Sequence, residues 1–192
     1  NGIDGALLWK RGARDEMFGS AIFQDITGDG IQDVFITGRS AQLLAINGID
    51  GSLIWEYFPS NLNPADSGLY NFYNPQFIDD ISGDNYPDIL VSNGGDHSAP
   101  DWQTNRPPGH LMIINSLTGN LIVKAVVPDS AETYCSPLVA DIKNTGNKWI
   151  LYGTGGENLG GNFYTVPLSD LIQGDISGSI ILATDTNKGF IA

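Results

Sequence analysis

One cysteine, two histidines and nine basic residues in a chain of 192 leave little room for several kinds of chemistry. The lone Cys135 excludes an intrachain disulfide and any paired-thiol centre, though it says little about compartment. Nine Lys and Arg stand against 22 Asp and Glu, giving a formal net charge of −13 and a pI near 4.1. The clustered positive charge that nucleic acid or an anionic bilayer requires is therefore missing. No apolar run approaches the ~18 residues of a membrane-spanning helix. The start, Asn1 to Lys10, has neither a basic end nor an apolar leader core. Asn-x-Ser/Thr sequons are absent too, and no stretch of about ten residues keeps a helical period.

What is present is glycine, 24 of them, with ten prolines and many Asn and Asp between short apolar runs. That composition predicts an all-β fold of many strands and turns. The segment DITGDGIQD sets Asp25, Thr27, Asp29 and Asp33 around Gly30, and it recurs as DISGDNYPD with Asp80, Ser82, Asp84 and Asp88 around Asn85. Aligned on these loops, three units appear, starting at Phe18, Tyr73 and Tyr134, each with its aromatic seven residues before the first Asp. Each reads as strand, loop, strand. A second signature closes each unit: NGIDGSLIW to Trp55, NSLTGNLIV to Val123, GDISGSIIL to Leu182, with a fourth copy, NGIDGALLW, ending at Trp9. Gly5, Gly51, Gly119 and Gly178 are expected at positive φ in the turns, with Asn47 or Asp50 bonding the turn backbone.

A unit is thus four antiparallel strands, and the closing glycines are 46, 68 and 59 residues apart. Four-stranded sheets repeated at about 40–50 residues plus insertions describe a β-propeller; a β-sandwich is the alternative, but sandwiches do not repeat in this register. The expected division is one partial propeller over 1–192: the end of a preceding blade at 1–10, blades at 18–58, 73–128 and 134–184, and the start of another at 185–192. Three units and a leading hairpin do not close a ring of four to eight blades. A longer polypeptide is therefore expected.

FGSAIFQDITGDGIQDVFITGR resembles an FG-GAP repeat, and AINGIDGSLIW resembles the closing hairpin of quinoprotein-type (PQQ-like) propeller repeats; together they resemble secreted bacterial propeller proteins. The usual Gly-Ala-Pro after the second strand is Thr37-Gly38-Arg39 or Ser92-Asn93-Gly94 here. The resemblance implies a Ca²⁺ loop in each acidic segment. Six to eight oxygens suit that cation, and an alternating loop can supply them. Asp25, Thr27, Asp29, Asp33 and the Ile31 carbonyl are the candidates in the first loop, and Asp80, Ser82, Asp84, Asp88 and the Tyr86 carbonyl in the second. An EF-hand is rejected, because Ile36 stands where its bidentate Glu belongs. The plain alternative is an Asx-rich turn whose carboxylates cap amides. In the third copy Asp141, Lys143, Thr145 and Trp149 leave one carboxylate, and no metal is expected there. Two structural Ca²⁺ ions saturated at extracellular concentration point to an exported protein.

Propeller connectivity puts the acidic loops and Gly turns on one face and every long insertion, 61–72, 93–110 and 155–162, on the other. Long loops on a rigid scaffold are where binding concentrates. The candidates there are Asp96, His97, Asp101, Trp102, Arg106, His110 and Glu157. Trp102 could stack on a sugar and Arg106 clamp a carboxylate, although the plainer expectation has Trp102 packed on the base of its own loop. Trp9 and Trp55 are expected in the core between blades. The function expected is a structural or protein- or glycan-binding module of a larger secreted or surface protein. Its alternative is a propeller enzyme, a polysaccharide lyase or hydrolase using His97, Arg106 and Glu157, or more remotely a quinoprotein dehydrogenase.

Overall fold

The computed structural model describes residues 1–40, 42–57, 71–96, 99–100, 102–156, 159–186 and 189–190. Among them the chain is all-β apart from one five-residue helix. The first sheet is a meander of β1 (Ile22–Gln24), β2 (Asp33–Thr37), β3 (Leu43–Ile46) and β4 (Leu53–Tyr57), every neighbour antiparallel. In the second, two short pieces, β5 (Asn71–Phe72) and β6 (Gln76–Phe77), share the place of the first strand beside β7 (Ile89–Gly94). Pro75 between them lacks the amide a continuous ladder needs. β8 (His110–Ile114) and β9 (Leu121–Val126) complete that sheet. The third holds β10 (Leu138–Ala140), β11 (Trp149–Gly153), β13 (Gly161–Pro167) and β14 (Ile180–Asp185). A small extra pair joins β12 (Gly155–Gly156) to β15 (Gly189–Phe190).

The sheets pack face upon face. Phe35, Leu43 and Ala45 of the first meet Ile89, Val91, Met112 and Ile114 of the second. The opposite side of the second, Leu90, Leu111 and Ile113, meets Ile150, Tyr152, Tyr164 and Val166 of the third. The middle sheet is thus covered on both faces, so all of β7 is buried, whereas β2 alternates buried and half-buried positions. Both flanking sheets turn apolar side chains outward, with Phe23 on one and Leu138 and Ile180 on the other about half exposed.

Successive units are also fastened through the residues that follow each closing turn. The Trp55 indole donates to the Ser116 carbonyl (2.8 Å) and its ring lies against Gly119, where any Cβ would fall 2.7 Å from ring carbon. Trp9 repeats the arrangement one unit earlier, donating to the Gly48 carbonyl (3.0 Å) with its ring against Gly51. Only glycine permits that approach, and both turn glycines hold φ near +74° (Gly51) and +73° (Gly119). The tryptophans are inter-unit contacts, but both are half-buried rather than core, with Trp55 packed against the cluster of the first two sheets.

Three expectations change. Residues 1–10 form the turn, with the Gly5 amide on the Asn1 carbonyl (2.8 Å), but no strand. Gly178 is not at positive φ; Gly174 is, at +79°, against Val123. The cause is α1 (Leu168–Ile172), inserted after β13, which ends on Gly174 and leaves a separate turn from Ile176 to Ser179. The bulge repeated in all three sheets shows the consequence: Trp55, Val123 and Ala183, not Leu182, are the matching residues opposite Ala45, Ile113 and Phe163.

Candidate functional site: two acidic loops and an insertion face

The first loop is organised by its carboxylates. Asp25 accepts the Gly28 amide (2.7 Å) on one oxygen and the Gly30 amide (2.8 Å) on the other. Asp29 accepts the Ile31 amide (2.8 Å) and the Thr27 hydroxyl (2.9 Å). Asp33, fully buried, accepts the amides of Ile26 (2.9 Å), Thr27 (3.1 Å) and Gly48 (3.0 Å). The second loop repeats this. Asp80 caps Gly83 (2.6 Å) and Asn85 (2.8 Å), Asp84 takes the Tyr86 amide (2.9 Å) and the Asn115 side chain (2.6 Å), and buried Asp88 takes the amides of Ile81 (2.7 Å) and Ser82 (2.8 Å). The bonds that the Gly48 amide donates to Asp33 and the Asn115 side chain to Asp84 place loop and closing turn of each of these two units at the same end of its sheet.

The backbone path explains the residue choice. Positive φ falls at the third and fifth residues after the first Asp in every loop: Gly28 and Gly30, Gly83 and Asn85, Asn144 and Gly146. Glycine and asparagine bear that conformation at least cost. The third loop therefore follows the same path with Asp141 alone, which caps Thr145 (3.0 Å) and Gly146 (2.6 Å). Trp149 replaces the buried aspartate, and the Lys143 ammonium sits 3.6 Å above its ring. Hydrogen bonds from the amides of Gly30, Asn85 and Thr145 hold the carboxyls of Asp25, Asp80 and Asp141, respectively, below the ordinary aspartate value of 3.8.

All six carboxylate oxygens of each acidic loop accept a neutral donor, and no Lys, Arg or His among the described residues forms an ion pair with them. Among those residues no three Asp, Glu, His or Cys side chains converge as metal ligands do. The donor chemistry nonetheless fits a hard cation: Asp25 Oδ1, Asp33 Oδ2, Asp80 Oδ1 and Asp88 Oδ2 already accept two donors or more, but the remaining oxygens accept one each and keep a lone pair, and each loop carries three uncompensated charges.

On the opposite end, Arg106 is turned inward. It donates to the carbonyls of Gln103 (2.9 Å), Asp96 (2.6 Å) and Pro100 (3.0 Å), and stands 3.9 Å from Glu132 with its side chain 4% exposed. It braces its own loop. His97, Asp101 and Glu157 lie outside the described residues. The Asp96 amide donates to Glu132 (3.1 Å). His110 begins β8, its buried Nδ1 without a hydrogen-bond partner; burial, and then Lys124, push its pKa down to about 4. Trp102 is 75% exposed and so does not pack on the base of its loop.

Sequence reasoning missed Glu132. It is buried, accepts the Tyr134 hydroxyl (3.3 Å) and the Asp96 amide, and abuts Gly156, drawing the insertions of the second and third units to one carboxylate. The signal was in the repeat: Glu132 lies nine residues before Asp141, as Glu16 lies nine before Asp25 and Asn71 nine before Asp80. Glu16 pairs with Arg39 (3.0 Å) and Asn71 donates to the Gly95 carbonyl (2.6 Å). Each thus holds the turn that follows the second strand of its own unit. The leading aromatics also meet, Phe18 on Tyr73 at 5.3 Å and Tyr73 on Tyr134 at 5.4 Å, in a row across the units.

No family model matches this chain, and no curated protein matches it.

Proposed function

We propose that the chain is part of a Ca²⁺-stabilised β-propeller of an extracellular protein, a module whose insertion face binds protein or glycan. The observation that carries this reading is the repeated fastening of unit to unit. Trp9 and Trp55 each dock on the next closing turn while four-stranded meanders stack face to face, as successive blades do. The middle unit is complete only because it has neighbours on both sides, and the outward apolar faces of the flanking sheets ask for more of the same.

In this reading Asp25, Thr27, Asp29, Asp33 and the Ile31 carbonyl hold one Ca²⁺, and Asp80, Ser82, Asp84, Asp88 and the Tyr86 carbonyl a second. The bound cation supplies the positive charge each loop lacks and ties the first two strands of its blade together. Its place is structural, on the end away from the insertions. Millimolar external Ca²⁺ would keep such sites filled, which supports export. No observation favours a lyase, hydrolase or quinoprotein reading over this one. Thermal melting tests the proposal: the midpoint should rise with Ca²⁺ and fall in excess chelator, and an identical midpoint in both, after confirmed metal removal, contradicts it.

A further inference from the structure

The chain has four tryptophans, and three are engaged: Trp9 and Trp55 donate to backbone carbonyls and Trp149 lies under Lys143. Trp102 is the exception, three-quarters exposed and with no hydrogen bond, ring contact or cation contact among the described residues. A lone exposed apolar residue is ordinary on a protein surface. A braced one is less so. The loop that presents Trp102 is held from within by Arg106, whose guanidinium gathers three of the loop's carbonyls, and is stiffened by Pro100, Pro107 and Pro108. Its turn is closed by the Gln103 amide on the Pro100 carbonyl (2.9 Å). Among the described residues of the loop these bonds lower the ordering entropy that binding would otherwise cost.

We infer that Trp102 is the stacking platform of a neutral carbohydrate site on this loop, an inference that rests on the binding-module reading above. A pyranose ring offers an apolar C–H face to an indole and hydroxyls to its rim. Thr104 and Asn105, both exposed beside Trp102, supply uncharged donors and acceptors for those hydroxyls. The charge pattern selects against acidic sugars. Arg106 is the only Lys or Arg between Asn93 and His110, and its side chain is buried beside Glu132, so among the described residues of the loop a uronate carboxylate finds no exposed guanidinium or ammonium. The chain's net charge of −13 opposes it further.

The test uses the whole chain in Ca²⁺ on a printed array of neutral and acidic oligosaccharides, followed by titration with the best-retained neutral one. Wild type should retain neutral glycans. Trp102→Ala should weaken binding roughly tenfold or more with its melting midpoint unchanged, and Trp102→Phe should fall between. Retention of no neutral glycan, preference for acidic ones, or equal binding by Trp102→Ala would overturn the inference. Each of those results with a Ca²⁺-dependent melt intact removes the carbohydrate site alone. A melt indifferent to Ca²⁺ removes the stabilised-propeller reading and leaves the glycan result standing on its own.

Discussion

The two acidic loops and the third loop trace one backbone path with different side chains. Positive φ recurs at the same two offsets in all three, and the leading Asp caps the same part of the turn. The path is therefore specified by one carboxylate and two residues tolerant of left-handed geometry. The remaining carboxylates of the first two loops are surplus to that requirement, and surplus like charge in a short turn carries a cost that a cation removes. That difference is the argument for metal in two loops and not in the third.

The largest effect should come from the buried aspartates. With chelator present, Asp33→Ala strands three amides and should cost ~3 kcal/mol or more, and Asp88→Ala similarly. Trp149→Phe, at the same place in the third loop, strands no amide and keeps an aromatic ring there, so it should cost distinctly less; chemical denaturation of the three variants measures this, and equal losses would break the comparison. Chelation comes next. If each site binds Ca²⁺ about 100-fold below the working concentration, its removal costs about 2.7 kcal/mol per site. Asp29→Asn and Asp84→Asn should each remove part of that dependence, while Thr145→Ala removes none.

Acid separates two contributions. The folded state holds His110 neutral down to about pH 4, against an ordinary value of 6.5, while the unfolded chain takes up a proton below 6.5. Stability should therefore decline as pH falls from 6.5 toward 4, and His110→Phe should flatten that slope. The depressed carboxyls of Asp25, Asp80 and Asp141 act the other side of it: their contribution is present above 3.8 and is lost as pH falls through their lower folded values. That second decline should occur in chelator too, because all three loops share it. Smallest of all, Asn85→Gly and Asn144→Gly should change stability by at most ~0.5 kcal/mol, and alike, since both stand at positive φ.

Much of this was legible in the sequence. The repeat predicted three antiparallel meanders, and the choice of Gly or Asn marked the left-handed positions of loops and closing turns in the first two units. Local chemistry and local conformation coincide there, which is why reading it works. The third closing turn failed because α1 was inserted upstream: the glycine signature persisted at Gly178 while the left-handed conformation moved to Gly174. Side-chain partners across units were harder. Arg106 looked available because a sequence cannot show which carbonyls fold back on it, and Trp102 looked packed for the same reason. Glu132 was readable from its offset, but its weight comes from burial and from Gly156 across the seam, which only the fold supplies.

The number of cations the chain binds separates the acidic loops from the third loop most directly. Calorimetric titration of Ca²⁺ into the metal-stripped chain should give two sites, reduced to one by Asp29→Asn with Asp33→Asn and left at two by Thr145→Ala. A stoichiometry of zero, or of three, would contradict the distinction between the acidic loops and the third.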